Sequence, residues 1–306
     1  MKKLLSILLA GIIMVAGMTA CSDKESQQEA QSGDAAVQFT DFRGNEITLD
    51  EYPERIVSLS PTSTEIMFAI GAQDKLVGVT NSCDYPAEAL EKEKVGDFSG
   101  PNLEMIVNLK PDVVVGGTYI QEDVTQALSE LGIPVISTEA ENIEDIFKSI
   151  EILGMLSQNE ENAQDVIADM ETKLAEIAEK VKDSEPVSVF YVVWKDPFKT
   201  AGNNTFINEV ITLAGGENVA SDVEGWADYS REELIVKNPY AIVSSSHSSA
   251  EKETEESLVA DPLFSDLEAS KAKRIHIMSD DSIIARGGPR IVDAIEEIRV
   301  ALESWK

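Results

Sequence analysis

Side chains able to do covalent or metal chemistry are scarce in this chain. Among its 306 residues only two are histidine and two are cysteine. Serine chemistry needs a base, and the sole imidazoles, His247 and His276, are accompanied by no G-x-S-x-G elbow. Two histidines cannot assemble a three-histidine metal site, and no spaced carboxylate motif replaces it. His276 lies in a β-rich run, Arg274–Met278, and reads as structural; His247, in a Ser-rich loop at a strand end, is the one placed to touch a ligand. Phosphate loops of the G-x-x-x-x-G-K-S/T and G-x-G-x-x-G kinds are absent. The expected reading is binding without turnover, with no catalytic residue, no metal site and no cofactor; a hydrolase or chelatase, with His247 its only candidate histidine, is the enzyme alternative, and a carboxylate-rich free-metal site stays open.

The cysteines carry a different message. Lys2 and Lys3 precede an apolar run from Leu4 to Val15, too short for the roughly twenty residues of a spanning helix, so it reads as an export signal. Small residues then lead to a cysteine in Met18-Thr19-Ala20-Cys21, which resembles a lipobox, with Cys21 acylated as the mature N-terminus. From Ser22 to Ala36 the chain is polar, without a large apolar residue before Val37, and is expected to be a flexible tether reaching about 20 Å. Cys83 is then left without an intrachain partner, either a buried free thiol or a soft donor facing a cleft.

A nucleic-acid binder would need a basic stripe, and none is visible in this sequence; its net charge of −31 suits a soluble surface held off an anionic membrane. The remaining length exceeds what one core usually organises. Short β-rich runs at Arg55–Ser60, Leu76–Thr80, Asp112–Gly116 and Pro134–Thr138 alternate with helical patterns, and the alternation returns at Val187–Val193, Ala241–Ser245 and Arg274–Met278 before a final helix from Pro289 to Trp305. That is the pattern of βαβ units. Between the halves, Ala163, Val166, Ile167, Met170, Leu174, Ile177 and Val181 recur at helical spacing. The expected fold is α/β: two Rossmann-like lobes with mainly parallel sheets, joined by a single long α-helix, with a ligand cleft between them. The expected boundaries are a signal over 1–20, a lipidated N-terminus and tether over 21–36, lobes over 37–158 and 185–306, and the connecting helix over 159–184.

The halves also share a repeat. Asn102–Val115 parallels Ser230–Val243 at an offset of 128, from Pro111 to Pro239, and each copy reads as an N-cap, a short helix, a proline stop and a buried strand. Ser230 with Glu233 has the form of a capping box. The same offset superposes Glu104 on Glu232. An acid in a first helical turn is favoured by the helix dipole alone, by about 0.3–1 kcal/mol.

Several segments, RIVSLSPTSTEIMFAIGA (Arg55–Ala72), LVGVTNSCDYP (Leu76–Pro86), VGDFSGPNLEMIVNLKPDVVV (Val95–Val115), AGGENVA (Ala214–Ala220), SREELI (Ser230–Ile235) and GGPRIVDAIEEI (Gly287–Ile298), carry a family resemblance. Together they resemble the substrate-binding proteins of ABC importers whose two lobes are joined by a helical backbone and which take up cobalamin, haem and iron chelates, closest to the cobalamin-binding members. The resemblance implies a monomer at the outer face of the cell membrane, held by its lipid, delivering a small molecule to a permease pair driven by cytoplasmic ATPases. It implies docking of Glu104 and Glu232 on permease arginines. It implies ligand contacts from Phe98, Phe198, Trp226 and Arg286, with Ser82 and Gly117 where cobalamin binders carry a tyrosine and a tryptophan.

Strand ends place Tyr119 and Trp194 in the same loops, because ligands in α/β sheets lie beyond the carboxyl ends of strands. Arg286 could equally pair with Asp280 or Asp281. Within the candidate loops only Lys195, Lys199 and Arg286 are cationic, which favours a bulky flat ligand, a corrinoid, over an anionic ferric siderophore, with haem the other alternative.

Overall fold

The structure, a computed structural model, describes residues 36–97, 100–117, 120, 122–245 and 254–306. The export signal, Cys21 and nearly all of the tether lie outside the described residues, as do Phe98, Tyr119 and His247.

Valine- and isoleucine-rich runs form two four-stranded parallel sheets. Across the first the strands lie in the order Leu76–Val79, Ile56–Ser58, Val113–Gly116, Val135–Ser137; across the second, Gly216–Asn218, Val187–Val192, Ala241–Ser244, Ile275–Ile277. Counted along the chain within each half, both orders read second, first, third, fourth, so the sequence repeat extends to topology. Val113, Val114, Val115 and their counterparts Ala241, Ile242 and Val243 are all buried, as a parallel sheet covered on both faces by helices requires.

The connecting helix runs Glu160–Val181, with Ala163, Ile167, Met170 and Ile177 buried and Val166 and Leu174 partly so. Near its start Asn162 Nδ2 donates to the Ile70 carbonyl at 2.9 Å in the first lobe. Near its end Lys180 pairs with Glu296 at 2.9 Å on the final helix, Ile291–Ser304, of the second.

Small antiparallel pieces accompany these mainly parallel sheets. Val37–Thr40 and Glu46–Leu49 form an antiparallel hairpin. Its turn is organised by buried Asp41, whose carboxylate accepts from the Arg43 and Asn45 amides, each at 2.9 Å, and from the Ser137 amide of the first sheet at 3.1 Å. In the second lobe Trp194–Lys195, Phe198–Ala201 and Trp226–Asp228 make a small antiparallel flap. Side chains alternate across it: Phe198 and Thr200 turn into the lobe, while Trp194 pairs across the strands with Lys199, and Lys199 with Asp228.

Candidate functional site

The loops at the carboxyl ends of the first sheet and the segments facing them from the second lobe enclose a recess of about 210 Å³. Ser60, Pro61, Thr62, Ser82, Glu139 and Ala140 line it from the first lobe, and Phe206, Ala285, Arg286 and Gly287 from the second. Ser60 is presented here because its hydroxyl caps the helix Pro61–Ala69, accepting from the Ser63 amide at 3.3 Å.

Arg286 crosses the recess. Its Nη2 donates to Asp84 Oδ1 at 2.7 Å and to the Ser82 carbonyl at 3.3 Å, both in the first lobe. Its Nη1 is buried and has no acceptor among the described residues. A buried guanidinium nitrogen left unpaired costs free energy. The pairing open in the sequence therefore resolves onto Asp84, and it is Arg290 that takes Asp280, at 3.0 Å.

Arg290 stands behind this floor, its guanidinium over the Tyr85 ring at 3.5 Å and its other edge on Glu65. Burial works against the Arg290 charge, but hydrogen bonding and attraction from Glu65, then Asp280, outweigh it and raise the pKa. A third link between the halves is the Ile143 amide, which donates to Glu209 Oε2 at 2.9 Å.

The aromatic residues divide. Trp226 and Trp194 are exposed on the flap. Phe198 instead sits in the second-lobe core, its ring 5.6 Å from Phe190 and 6.1 Å from Phe264, with Arg231 5.8 Å above it. Ser82 lines the recess beside Arg286. Cys83 is buried in the first lobe, with Thr64 Oγ1 and Thr80 Oγ1 at 3.2 and 3.1 Å from its sulfur, so it does not face the cleft. His276 is held by Glu297 at 2.8 Å. Among the described residues no group of three or more His, Cys, Asp or Glu side chains could hold a metal ion.

Glu104 and Glu232 are both exposed in the first turns of short helices, Leu103–Asn108 and Arg231–Lys237. Asn102 and Ser230 cap these helices, accepting from the Met105 and Glu233 amides at 3.1 Å. The Ser230 hydroxyl donates in turn to Glu232 Oε2 at 3.1 Å. Backbone N–H bonding first, then this hydroxyl, holds the Glu232 carboxyl below its ordinary range and keeps it ionised. Glu233, the expected reciprocal member of the cap, lies 4.0 Å from Lys237.

Three site features escaped the sequence. Phe206 follows a flap whose strands are too short and mixed to read, and the pairs Glu65–Arg290 and Asp84–Arg286 join residues 225 and 202 positions apart. Glu65 and Arg290 both fall inside the quoted family motifs, but nothing in either motif says that they meet.

The sequence matches the model of a family described as periplasmic binding protein over residues 56–281. An uncharacterized ABC transporter substrate-binding lipoprotein of Bacillus subtilis, YvrC, is 33% identical over 301 residues, covering 96% of this chain and 94% of that protein. The vitamin B12-binding protein of Vibrio cholerae is 31% identical over 249 residues, 80% of this chain and 87% of that one. The crystal structure of the periplasmic vitamin B12-binding protein BtuF of Vibrio cholerae superposes with a TM-score of 0.71 at 30% identity, over 83% of this chain and 98% of the other.

Proposed function

The chain belongs to the periplasmic binding protein family, and from that premise we propose that it is the extracytoplasmic, lipid-anchored substrate-binding protein of an ABC importer, capturing cobalamin or a related corrinoid between its lobes. It acts by binding and release without turnover, and delivers its ligand to a permease pair energised by cytoplasmic ATPases. Acylation of Cys21 holds it at the outer face of the membrane. Among the described residues no helix is long and apolar enough to cross a membrane.

The observation that carries this reading is the interlobe recess with its one unpaired guanidinium nitrogen. Ligand sites are concave, largely apolar and orient their contents with a few polar groups. Phe206 and Ala140 give the apolar part here, and Ser60, Ser82 and Arg286 the polar part. The volume, about 210 Å³, is below the roughly 300–1,000 Å³ usual for such sites, so the ligand overhangs the recess toward the exposed flap or the lobes part slightly to admit it. Trp226 and Trp194 stand on that flap with exposed indoles suited to a flat face. The vitamin B12-binding names of relatives at 30 and 31% identity support the corrinoid within the ligand class.

Glu104 and Glu232 are the proposed contacts to the two permease subunits. Their exposure, equivalent placement and capped helices suit charge pairing with basic side chains of a symmetric partner.

Equilibrium titration with cobalamin, cobinamide, haem and a ferric siderophore, followed by ligand absorbance, tests the ligand. Saturable one-to-one binding of a corrinoid is expected. Binding of haem or the siderophore with neither corrinoid bound would replace the ligand and leave the transport role intact.

A further inference from the structure

Resting on the reading that the recess takes a flat corrin- or porphyrin-like ring, we infer that Phe206 is the residue that seats this ring from the second-lobe side. Among the described residues, the first-lobe lining is Ser60, Pro61, Thr62, Ser82, Glu139 and Ala140, none of them aromatic. Among the described residues lining the recess, Phe206 is the one aromatic.

The chain fixes this ring firmly. Thr205 is buried; its Oγ1 accepts from the Asn208 amide at 3.2 Å and donates to the Gly202 carbonyl at 2.7 Å, which sets the start of the helix Phe206–Leu213. The preceding loop is strapped to 223–225 by three backbone bonds: Gly202 N to Gly225 O at 2.9 Å, Asn203 N to Val223 O at 2.7 Å and Gly225 N to Asn203 O at 2.8 Å. Only glycine fits at 202, where a Cβ would stand 2.1 Å from the Val223 carbonyl oxygen, and Gly225 has φ +64. The strap joins the Phe206 loop to the strand bearing Trp226, and the two rings meet edge to face, with centroids 5.6 Å apart and planes at 64°.

The result is a rigid aromatic corner. Phe206 forms part of the recess wall, and Trp226, 52% exposed, packs against it from outside the lining. A preorganised ring loses little rotamer freedom on binding and gains dispersion and quadrupole contacts with a flat conjugated face. A rounded, non-planar ferric chelate would gain far less from the same corner.

The test uses the mature chain and three variants, Phe206→Leu, Phe206→Ala and Phe206→Tyr, titrated with cobinamide and with haemin by ligand absorbance, each with a thermal melt. Phe206→Leu keeps apolar bulk without a ring, so loss of affinity in it is not loss of fold. We expect Phe206→Leu and Phe206→Ala to weaken binding of whichever ring the wild type takes by about three- to tenfold, and Phe206→Tyr to stay within about twofold. Wild-type binding that Phe206→Leu leaves unchanged would overturn the role of Phe206 while the proposed function stood. A wild type that takes neither ring would overturn the flat-ligand reading, and the seat with it.

Discussion

The Arg290 guanidinium grips the buried carboxylate of Glu65 through two hydrogen bonds, Nε to Oε1 at 3.0 Å and Nη2 to Oε2 at 2.7 Å, across 225 positions of sequence. Their side chains are 13% and 3% exposed. The same guanidinium reaches Asp280 and the Ser282 hydroxyl in its own lobe and covers Tyr85 in the other. One side chain thus welds the helix after the first strand of the first sheet to the segment that opens the final helix of the second lobe. The geometry is bidentate and nearly fully satisfied, the condition under which a buried charge pair is tolerated.

Removing one member of this pair should be far worse than removing both. Glu65→Ala leaves the Arg290 guanidinium with only the half-exposed Asp280 as a charge partner, at a cost of up to about 3–5 kcal/mol, which for a body of this size lowers the melting temperature by up to roughly 6–20 °C. Glu65→Leu combined with Arg290→Met should recover most of that loss, because two apolar groups need no partner. Thermal unfolding by circular dichroism reads both; a Glu65→Ala melt within about 2 °C of wild type would mean that the pair is not a structural weld.

Arg286 makes the opposite trade. Its partner Asp84 is 60% exposed, so their pairing adds only about 0–1 kcal/mol to stability. Arg286→Ala should therefore leave the melt nearly unchanged while weakening ligand binding by roughly tenfold or more, the size of a hydrogen bond from a charged donor. Parallel melts and titrations separate the two effects, and a variant that loses stability but not affinity would remove Arg286 from the site.

Legibility in the sequence tracked how local the determining physics is. The parallel strands read clearly because buried valines and isoleucines need no partner to announce them, and the helix Glu160–Val181 read clearly because its apolar face repeats over 22 residues. Gly216–Asn218 did not read as a strand, since three residues with a central glutamate carry no β signal; its place is set by pairing with Val187–Val189. The flap was hidden for the same reason. The repeat on capped helices makes Glu104 and Glu232 stand out as a matched pair, whereas the resemblance implies a cleft contact for Phe198 and the alternation of a flap strand turns it into the core beside Phe190. Interlobe pairs such as Asp84–Arg286 depend on how two folded bodies meet, which no local pattern encodes.

Exposure of Glu104 and Glu232 makes a clean separation of function possible. Charge reversal of both, Glu104→Arg with Glu232→Arg, should abolish ligand uptake by cells while leaving ligand affinity and the melt of the purified protein within about 0.5 kcal/mol of wild type. Either single reversal should give partial loss, since each lobe keeps one contact. Uptake of radiolabelled ligand in the double variant at wild-type level would rule out docking through these helices.

Acid should loosen the second lobe through Glu297. Burial favours its neutral form, but hydrogen bonds from His276 and from the Ser279 hydroxyl and amide outweigh it, so the carboxyl titrates below its usual 4.5. A lowered folded pKa means that the unfolded chain binds more protons in this window. The contribution is therefore complete above about pH 4.5 and is lost as pH falls through the folded value. Glu297→Gln should melt lower at pH 7, by about 2 kcal/mol or roughly 4–8 °C, and the gap from wild type should close as the medium is acidified below pH 4.5. A gap that stays constant with pH would place the loss in packing instead of charge.

Ligand capture should change the outline of the protein little. The helix Glu160–Val181, roughly 33 Å long, is tied to the first lobe through Asn162 and to the second through Lys180, which leaves it no free hinge. The Glu65–Arg290 weld and the Ile143–Glu209 bond hold the lobes from other sides. Opening by many ångströms would break a buried charge pair at a cost of several kcal/mol, comparable to a large part of a micromolar binding free energy. The remaining freedom lies in the exposed Asp84–Arg286 bridge, whose rupture costs little. Solution scattering of apo and ligand-saturated protein should then give radii of gyration within about 1 Å, the scale of rigid complexes. Loosening the weld with Glu65→Gln should widen that difference, and a wild-type contraction of several ångströms would show that the weld opens in the ordinary cycle.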